Sequence, residues 1–164
     1  MDPQAQGVLV DACHIRPATE ADAGRIAEIH VFNNRINFFP IFGDEDYSFN
    51  VLNVEHLARE LRKDTGRLAQ HWVYDDGVLR GFVWVDVDAR EVVMLYVDPC
   101  FQSRGYGAAL LAYAVERLGA RGLWVLEKNG RGRRFYERHG FTDSGRWKYE
   151  EDTTEHLLWY ELEG

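Results

Sequence analysis

Residues 91–119 read EVVMLYVDPCFQSRGYGAALLAYAVERLG, and this stretch decides the fold. It begins with Glu91 and continues as an unbroken apolar run over 92–97, which is typical of a central strand covered on both faces. Asp98-Pro99 ends the strand. The segment 105–119 then places its leucines and alanines on one side and its charges on the other, which predicts an amphipathic helix. The order is strand, glycine-bearing turn and helix.

The turn between this strand and helix, Gln102 to Ala108, is the richest in chemistry. The first N–H groups of a helix have no partner within the helix, and the helix dipole is positive at that end. Gly105 and Gly107 let an anion approach the backbone closely, so a pyrophosphate is the expected ligand. Two glycines can also serve a tight turn alone. Other phosphate motifs do not fit, because no Gly-Lys-Ser/Thr follows and Leu110 stands where a dinucleotide fingerprint needs a third small residue.

The flanking sequence predicts a mixed α/β sheet of about seven strands flanked by about four helices. Thr19 with Asp22 indicates one helix start, and Asn53 caps a second helix that ends at Lys63. Between these two helices, residues 33–53 have no clear period. The remaining predicted elements are a strand at 15–17, a hairpin of 68–74 and 78–85 around Asp75-Asp76-Gly77, a strand at 123–126, a helix at 131–139, and strands at 141–149 and 156–162.

The motif Gln102-x-x-Gly105-x-Gly107 after an apolar strand resembles the acetyl-CoA signature of the GNAT superfamily of N-acetyltransferases. A second match follows, since Asn129 and the later run Phe135-Tyr136-Glu-Arg-His-Gly-Phe141 are similar to the family's Asn and Phe-Tyr-x-x-x-Gly-Phe pattern. One departure is Gly132, where the family usually has Ala. The resemblance implies a single-domain GNAT-like fold over 14–164, preceded by a flexible N-terminal segment at 1–13.

The resemblance implies an enzyme that transfers the acetyl group of acetyl-CoA to a primary amine by direct attack in a ternary complex. It assigns cofactor binding to the strand edge, the turn and the Asn, namely Leu95, Tyr96, Val97, Gln102, Ser103, Arg104, Gly105, Tyr106, Gly107, Ala108 and Asn129. Asn129 can also be a helix N-cap, and the two roles are compatible. The alternative function is a non-catalytic CoA-binding sensor or interaction module with the same fold. Tyr136 favours the enzyme.

Two residues are the candidate catalytic groups. Tyr136 matches the family residue that protonates the leaving thiolate, which a phenol can do because its pKa lies above that of a thiol. The alternative is a core tyrosine packed between Phe135 and Phe141. Glu91 is the candidate base that takes a proton from the amine; the alternatives are a solvated strand-end glutamate and a water relay without a dedicated base.

The segment 33–53 resembles in position the family's acceptor-binding loop. It carries five aromatic residues and the carboxylates Asp44, Glu45 and Asp46, which suit an amine with an apolar body. The same aromatics can instead fasten the loop to the core.

The resemblance implies a small-molecule or peptide amine as the acceptor, and composition argues against nucleic acid as a partner. With 27 acidic against 19 basic residues and a net charge of -8, the chain repels nucleic acid and favours a cationic substrate. The longest apolar run, 108–115, is too short for a membrane span, and no signal peptide is recognised, so a cytoplasmic location is expected. Cys13 and Cys100 are expected to be free thiols, and no metal is expected because the histidines lack ligand spacing. A homodimer is expected only by analogy with the family.

Overall fold

A computed structural model describes residues 11–164. Residues 1–10, which make up most of the predicted flexible N-terminal segment, lie outside the described residues. Asp11 caps a single 3₁₀ turn, Ala12–His14, by accepting a hydrogen bond from the N–H of Cys13 (2.9 Å). Cys13 and Cys100 are exposed free thiols, as predicted.

Seven strands form one mixed sheet in the order β1-β2-β3-β4-β5-β7-β6. The strands are β1 (Ile15–Pro17), β2 (His71–Asp75), β3 (Leu79–Asp86), β4 (Glu91–Val97), β5 (Gly122–Leu126), β6 (Phe141–Tyr149) and β7 (His156–Leu162). The α-helices are α1 (Ala23–Asn33), α2 (Phe39–Phe42), α3 (Val54–Lys63), α4 (Thr65–Leu68), α5 (Tyr106–Glu116) and α6 (Gly130–Arg138). The predicted fold class is confirmed, and four of the helices are those predicted.

The sequence missed the two short helices. The segment 33–53, predicted to be irregular, is mostly helical, with π-helical turns at Asn34–Phe38 and Tyr47–Val51 around α2. Such short turns bury too few residues to leave a period in the sequence. The prediction of a strand from Leu68 was also wrong. Asp64 caps α4 by accepting from the N–H of Arg67 (2.9 Å), so Leu68 belongs to a helical turn and the strand begins three residues later.

Side-chain caps set the helix starts that the sequence predicted. Asp22 accepts a hydrogen bond from the N–H of Thr19 (2.8 Å) at the 3₁₀ turn before α1. Asn53 accepts from the N–H of His56 (2.9 Å) at α3. Each cap satisfies an N–H that would otherwise lack a partner, which fixes the residue at which the helix begins.

Both faces of the sheet carry a buried core. One core contains Leu110 and Ala114 of α5, and the other contains residues of α1 and α3. Helical spacing predicts that Ile26, Ile29 and Phe32 share one apolar face of α1. Ile26 and Ile29 are buried, but Phe32 is 43% exposed. The guanidinium of Arg35, 5.9 Å from the centre of the Phe32 ring, lies over that ring at the surface.

A cleft opens in the middle of the sheet because β4 and β5 separate. The parallel pair is in register only at Glu91 with Gly122 and Val92 with Leu123. Val93 is skipped in the pairing of β4 with β3, which marks a β-bulge. The expectation that β4 is covered on both faces was therefore wrong, since Val93 is 36% exposed. Beyond the bulge, β4 remains paired with β3 and β5 remains paired with β7, so β4 and β5 are no longer hydrogen-bonded to each other.

Candidate active site

The edge of β4 offers free main-chain groups to the cleft. The N–H of Asp98 donates to the carbonyl of Arg80 (2.9 Å), and main-chain direction alternates along a strand. The main chain of Tyr96 therefore faces β3, and that of Leu95 and Val97 faces the gap. Of the three residues predicted to bind the cofactor through this edge, Tyr96 can contribute only its side chain.

The turn before α5 concentrates unpaired N–H groups. Ser103 (φ 62) and Gly105 (φ 92) both adopt left-handed conformations, which bend the backbone into a concave nest. Within the described residues, the N–H groups from Ser103 to Ala108 donate to no other protein group, since the first helical bond runs from Ala109 to Gly105 (3.0 Å). The geometry is that of an anion site at a helix N-terminus.

The side chain of Gln102 braces this turn. Its Nε2 donates to the carbonyl of Val97 (3.1 Å) and to Oδ1 of Asn33 (3.2 Å). Asn33, only 2% exposed, donates to the same Val97 carbonyl (3.0 Å) and to that of Ile29 (2.8 Å). Sequence reasoning did not single out Asn33. The available signal was that this polar residue occupies a position on the buried, apolar face of α1.

A cavity of about 1490 Å³ joins the gap and the turn. The predicted residues that line it are Leu95, Tyr96, Val97, Gln102, Ser103, Gly105, Tyr106, Gly107, Ala108, Asn129 and Tyr136. Arg104 and Glu91 were also predicted, but neither lines it. The side chain of Arg104 instead lies over the ring of Phe101, 5.8 Å from its centre.

Tyr136 lies between the core and the cavity. Its ring packs edge-on against Phe135 and Phe141, with 5.2 Å and 6.0 Å between ring centres. Tyr136 therefore has the predicted core packing and also lines the cavity. Burial raises the pKa of Tyr136 above its usual range, which keeps the phenol protonated. Burial also raises the pKa of Tyr96, and the neighbouring Tyr136, Tyr47 and Glu150 add to that rise. All four of these residues line the cavity.

Asn129 caps α6, as one of its two expected roles requires. Its Oδ1 accepts from the N–H of Gly132 (3.0 Å), while the residue also lines the cavity. A Cβ at position 132 would lie 2.5 Å from Nδ2 of Asn129. The departure from the family's usual Ala therefore fits the conformation in which Asn129 is held.

Glu91 lies at the start of β4, opposite Asp86 of β3 and Gly122 of β5. Burial raises the pKa of its carboxyl group, and the charge of Lys148 partly offsets this rise. Glu91 precedes the bulge at Val93, which is the first residue of β4 in the cavity wall.

Two further segments line the same cavity. From the α1–α3 connection, Asn34, Phe38, Phe42, Asp44 and Tyr47 line the wall. The second segment is the β6–β7 turn, residues 150–155, which sequence reasoning did not connect with the site. Its run of carboxylates and threonines was the only signal, and a polar hairpin turn looks the same.

Residues 67–143 match the sequence model of the family described as "Acetyltransferase (GNAT) domain". This match spans the turn, both motifs and the separated strands. The match supports membership of the GNAT superfamily.

Two curated relatives that this chain resembles are acetyltransferases. The chain is 41% identical over 75 residues to a mycothiol acetyltransferase of Beutenbergia cavernae, covering 41% of this chain and 25% of that protein. It is 38% identical over 74 residues to the peptidyl-lysine N-acetyltransferase YiaC of Escherichia coli, covering 44% of this chain and 50% of that protein. The chain thus spans a quarter to a half of these curated relatives.

The crystal structure of the PaiA N-acetyltransferase from Thermoplasma acidophilum in complex with coenzyme A shares the fold. The TM-score is 0.70 at 19% identity, covering 90% of this chain and 98% of that one. Within residues 11–164, no helix is long and apolar enough to cross a membrane, and no group of three or more His, Cys, Asp or Glu side chains is placed to hold a metal ion.

Proposed function

We propose that this chain is an acetyl-CoA-dependent N-acetyltransferase that acts on a primary amine through a ternary complex. The observation that carries the proposal is that the gap between β4 and β5 opens directly onto the nest of unpaired N–H groups at the start of α5. One cavity thus offers a strand edge for an amide-bearing chain, an anion site and a buried phenol.

The residues present fit coenzyme A. Six consecutive N–H groups, Ser103 to Ala108, are free to hold a pyrophosphate, and Arg131 and Arg138 add positive charge to the same cavity. The N–H and carbonyl of Leu95 can pair with a pantetheine amide as an added strand does. Asn129 keeps its Nδ2 for the cofactor while Oδ1 caps α6.

Acetyl-CoA supplies the activated acetyl group as a thioester. The free N–H groups of β4 can donate to the carbonyl oxygen that gains negative charge as the amine nitrogen forms its bond to carbon. Tyr136 can give its proton to the sulfur as the carbon–sulfur bond breaks, because its raised pKa keeps that proton on the phenol until a thiolate develops. The products are an amide and a free thiol.

The amine must lose a proton before or during attack, since an ammonium has no lone pair. Glu91 is the acceptor proposed from the sequence, and its raised pKa makes it a stronger base than an exposed carboxylate. Because it lies outside the cavity wall, Glu91 would act through water. Glu150, which lines the cavity near Tyr96, is the second candidate.

The names of the relatives are consistent with an amine acceptor, since a peptidyl-lysine ends in a primary amine. The non-catalytic sensor remains the competing function. A homodimer and a cytoplasmic location stay predictions.

Acetyl-CoA turnover is the deciding experiment. The purified protein is incubated with acetyl-CoA and a panel of polyamines, aminoglycosides, amino acids and lysine peptides, and free CoA thiol is measured. We expect thiol release above the rate without acceptor. If CoA binds by calorimetry and no amine supports release, the sensor function is favoured and the proposal fails.

A further inference from the structure

One buried side chain joins the edge of β4 to the turn at 102–108, which we call the anion-binding turn. Asn33 is the last residue of α1, is 2% exposed, and lines the cavity. Its Nδ2 donates to the carbonyl of Val97, the last residue of β4 (3.0 Å). Its Oδ1 accepts from Nε2 of Gln102, the first residue of the turn (3.2 Å). A single amide group therefore holds both ends of the segment 97–102.

Four hydrogen bonds fix the orientation of this amide. Besides the two bonds to the segment, Nδ2 of Asn33 donates to the carbonyl of Ile29 (2.8 Å), and Oδ1 accepts from Nδ2 of Asn37 (3.2 Å). Both donors and both acceptor positions of the amide are thus used. A flipped amide would place its oxygen against two carbonyl oxygens, so the side chain has one favourable orientation.

The same contacts limit what a ligand can use at Val97. A carbonyl oxygen has two lone pairs, and at Val97 these accept from Asn33 (3.0 Å) and from Nε2 of Gln102 (3.1 Å). A ligand strand added to β4 can therefore pair with both main-chain groups of Leu95, but at Val97 it can pair only with the N–H. Asn33 and Gln102 thus fix the point at which such a ligand leaves β4 and enters the anion-binding turn.

The middle of the segment 97–102 is anchored separately. Arg25 of α1 lies 2.7 Å from the carboxylate of Asp98. The N–H groups of Cys100 and Phe101 donate to the side chain and the carbonyl of Asp98 (2.8 Å each). These contacts shape the segment without touching its ends. Among residues 11–164, no side chain from outside the segment other than Asn33 is hydrogen-bonded to either end.

We propose that Asn33 is a positioning residue for the cofactor: by holding both ends of the segment 97–102, it sets the spacing between the edge of β4 and the anion-binding turn. This role rests on the proposed function, in which the pantetheine arm pairs with the edge and the pyrophosphate binds in the turn. A ligand that spans both places gains from a preset spacing, because that part of the protein is ordered before binding. A ligand that occupies one place alone does not gain.

Three probes distinguish this role from general support of the fold. CoA spans both places, pantetheine reaches the strand edge, and inorganic pyrophosphate fits the turn. Asn33→Leu replaces the amide by an apolar group of similar size at a buried position, so the protein should fold. We expect the Kd for CoA to rise about tenfold, as for the loss of one or two hydrogen bonds, and the Kd values of both fragments to change by less than about twofold.

Calorimetry, with CoA displaced by each fragment, measures the three Kd values, and thermal unfolding shows that the variant is folded. With an amine that supports turnover, KM for acetyl-CoA should rise by the same factor as the Kd for CoA, while kcat stays within about twofold of wild type. Such a split between KM and kcat is expected of a residue that positions the cofactor site and does not touch the reacting atoms.

Ile29→Val is the matched control. Ile29 is 0% exposed one turn earlier on α1, and loss of a methylene group there lowers stability without changing the amide of Asn33. The CoA Kd of this control should equal that of wild type. Gln102→Ala breaks the same contact from the side of the turn, at a partly exposed position, and should repeat the pattern of Asn33→Leu if that protein does not fold.

A double-mutant cycle tests whether Asn33 acts through Gln102. Asn33→Leu combined with Gln102→Ala should weaken CoA binding by clearly less than the product of the two single effects, because both remove the same contact. Single effects that multiply would show that the two residues act independently, and would overturn the positioning role.

The remaining outcomes separate this role from the proposed function. An unchanged CoA Kd in folded Asn33→Leu overturns the positioning role. Equal losses for CoA and both fragments, or a loss of the same size in Ile29→Val, also overturn it, because Asn33 then only supports the fold. None of these results contradicts acetyl transfer. Absence of CoA binding by the wild-type protein overturns the proposed function itself, and the positioning role with it.

Discussion

At the scale of the residue, Tyr136 carries the sharpest prediction. Tyr136→Phe keeps the ring that packs on Phe135 and Phe141 and removes the proton, so the fold and acetyl-CoA binding should persist. We expect kcat to fall about 100-fold, as for a positioned general acid. Steady-state kinetics with Tyr149→Phe as an exposed control measures this. A kcat within twofold of wild type would return Tyr136 to a packing role.

The pH dependence of Glu91 separates the two candidate bases. Only a carboxylate accepts a proton, so wild-type activity should fall as pH drops through the raised pKa of Glu91. Glu91→Gln should lose activity near neutral pH and recover partly as pH rises toward the amine's own pKa. Profiles of kcat/KM against pH for wild type, Glu91→Gln and Glu150→Gln decide it. A Glu91→Gln profile parallel to wild type would remove Glu91 and leave Glu150 or water.

At the scale of the element, the turn before α5 can be tested without breaking the helix. A Cβ at Gly107 would make ordinary contacts with Phe135 (3.5 Å) and Val97 (3.6 Å), so Gly107→Ala should fold and bind CoA. The larger side chain of Gly107→Val must project into the gap and should abolish CoA binding. Calorimetry and thermal unfolding check both. A folded Gly107→Val protein with unchanged CoA affinity would contradict the anion site.

The start of α6 couples stability to cofactor binding. Gly132→Ala stabilises the helix by about 1 kcal/mol through its higher helix propensity. The added Cβ also displaces Asn129, and loss of the hydrogen bond at the N-cap destabilises the helix by about the same amount. Tm should therefore change little while KM for acetyl-CoA rises. Gly130→Ala is the control, because its Cβ meets only the flexible end of Arg134 (3.1 Å), and it should stabilise without changing KM. An unchanged KM in Gly132→Ala would exclude Asn129 from the cofactor site.

At the scale of the whole molecule, a buried histidine makes stability depend on pH. His71 is 2% exposed and stacked on Trp84; burial first, and then the charge of Arg67, lower its pKa to about 4. The unfolded chain binds this proton near pH 6.5, so stability is complete above that pH and is lost as pH falls toward 4.

Urea unfolding between pH 7 and 4.5 measures this loss. The contribution of His71 is of the order of 2 kcal/mol over that range. Burial also lowers the pKa of His30 to about 4, so His71→Phe should remove about half of the dependence. The exposed His56→Gln should leave the dependence as in wild type. An equal slope in all three proteins would show that His71 does not carry the effect.

The sequence by itself determined the local features. Asn53 and Asn129 cap their helices, Asp75-Asp76-Gly77 turns its hairpin, and the Gln102–Ala108 turn joins strand to helix, because hydrogen bonds and backbone conformations within a few residues suffice for each. Both family motifs lie between residues 91 and 141, and the resemblance that they carry is the reason why the fold could be predicted from this stretch.

Only the tertiary structure decided which distant residues share the site. The bulge at Val93 and the separation of β4 from β5 arise because β4 pairs with β3 while β5 pairs with β7. The hydrophobic period of a strand does not show with which neighbour it pairs. Asn33 accepts a hydrogen bond from Gln102, 69 residues away in the chain, and the β6–β7 turn lines the same cavity as Asp44. Such contacts depend on how the elements pack, and local sequence does not tell which distant residue a side chain will contact.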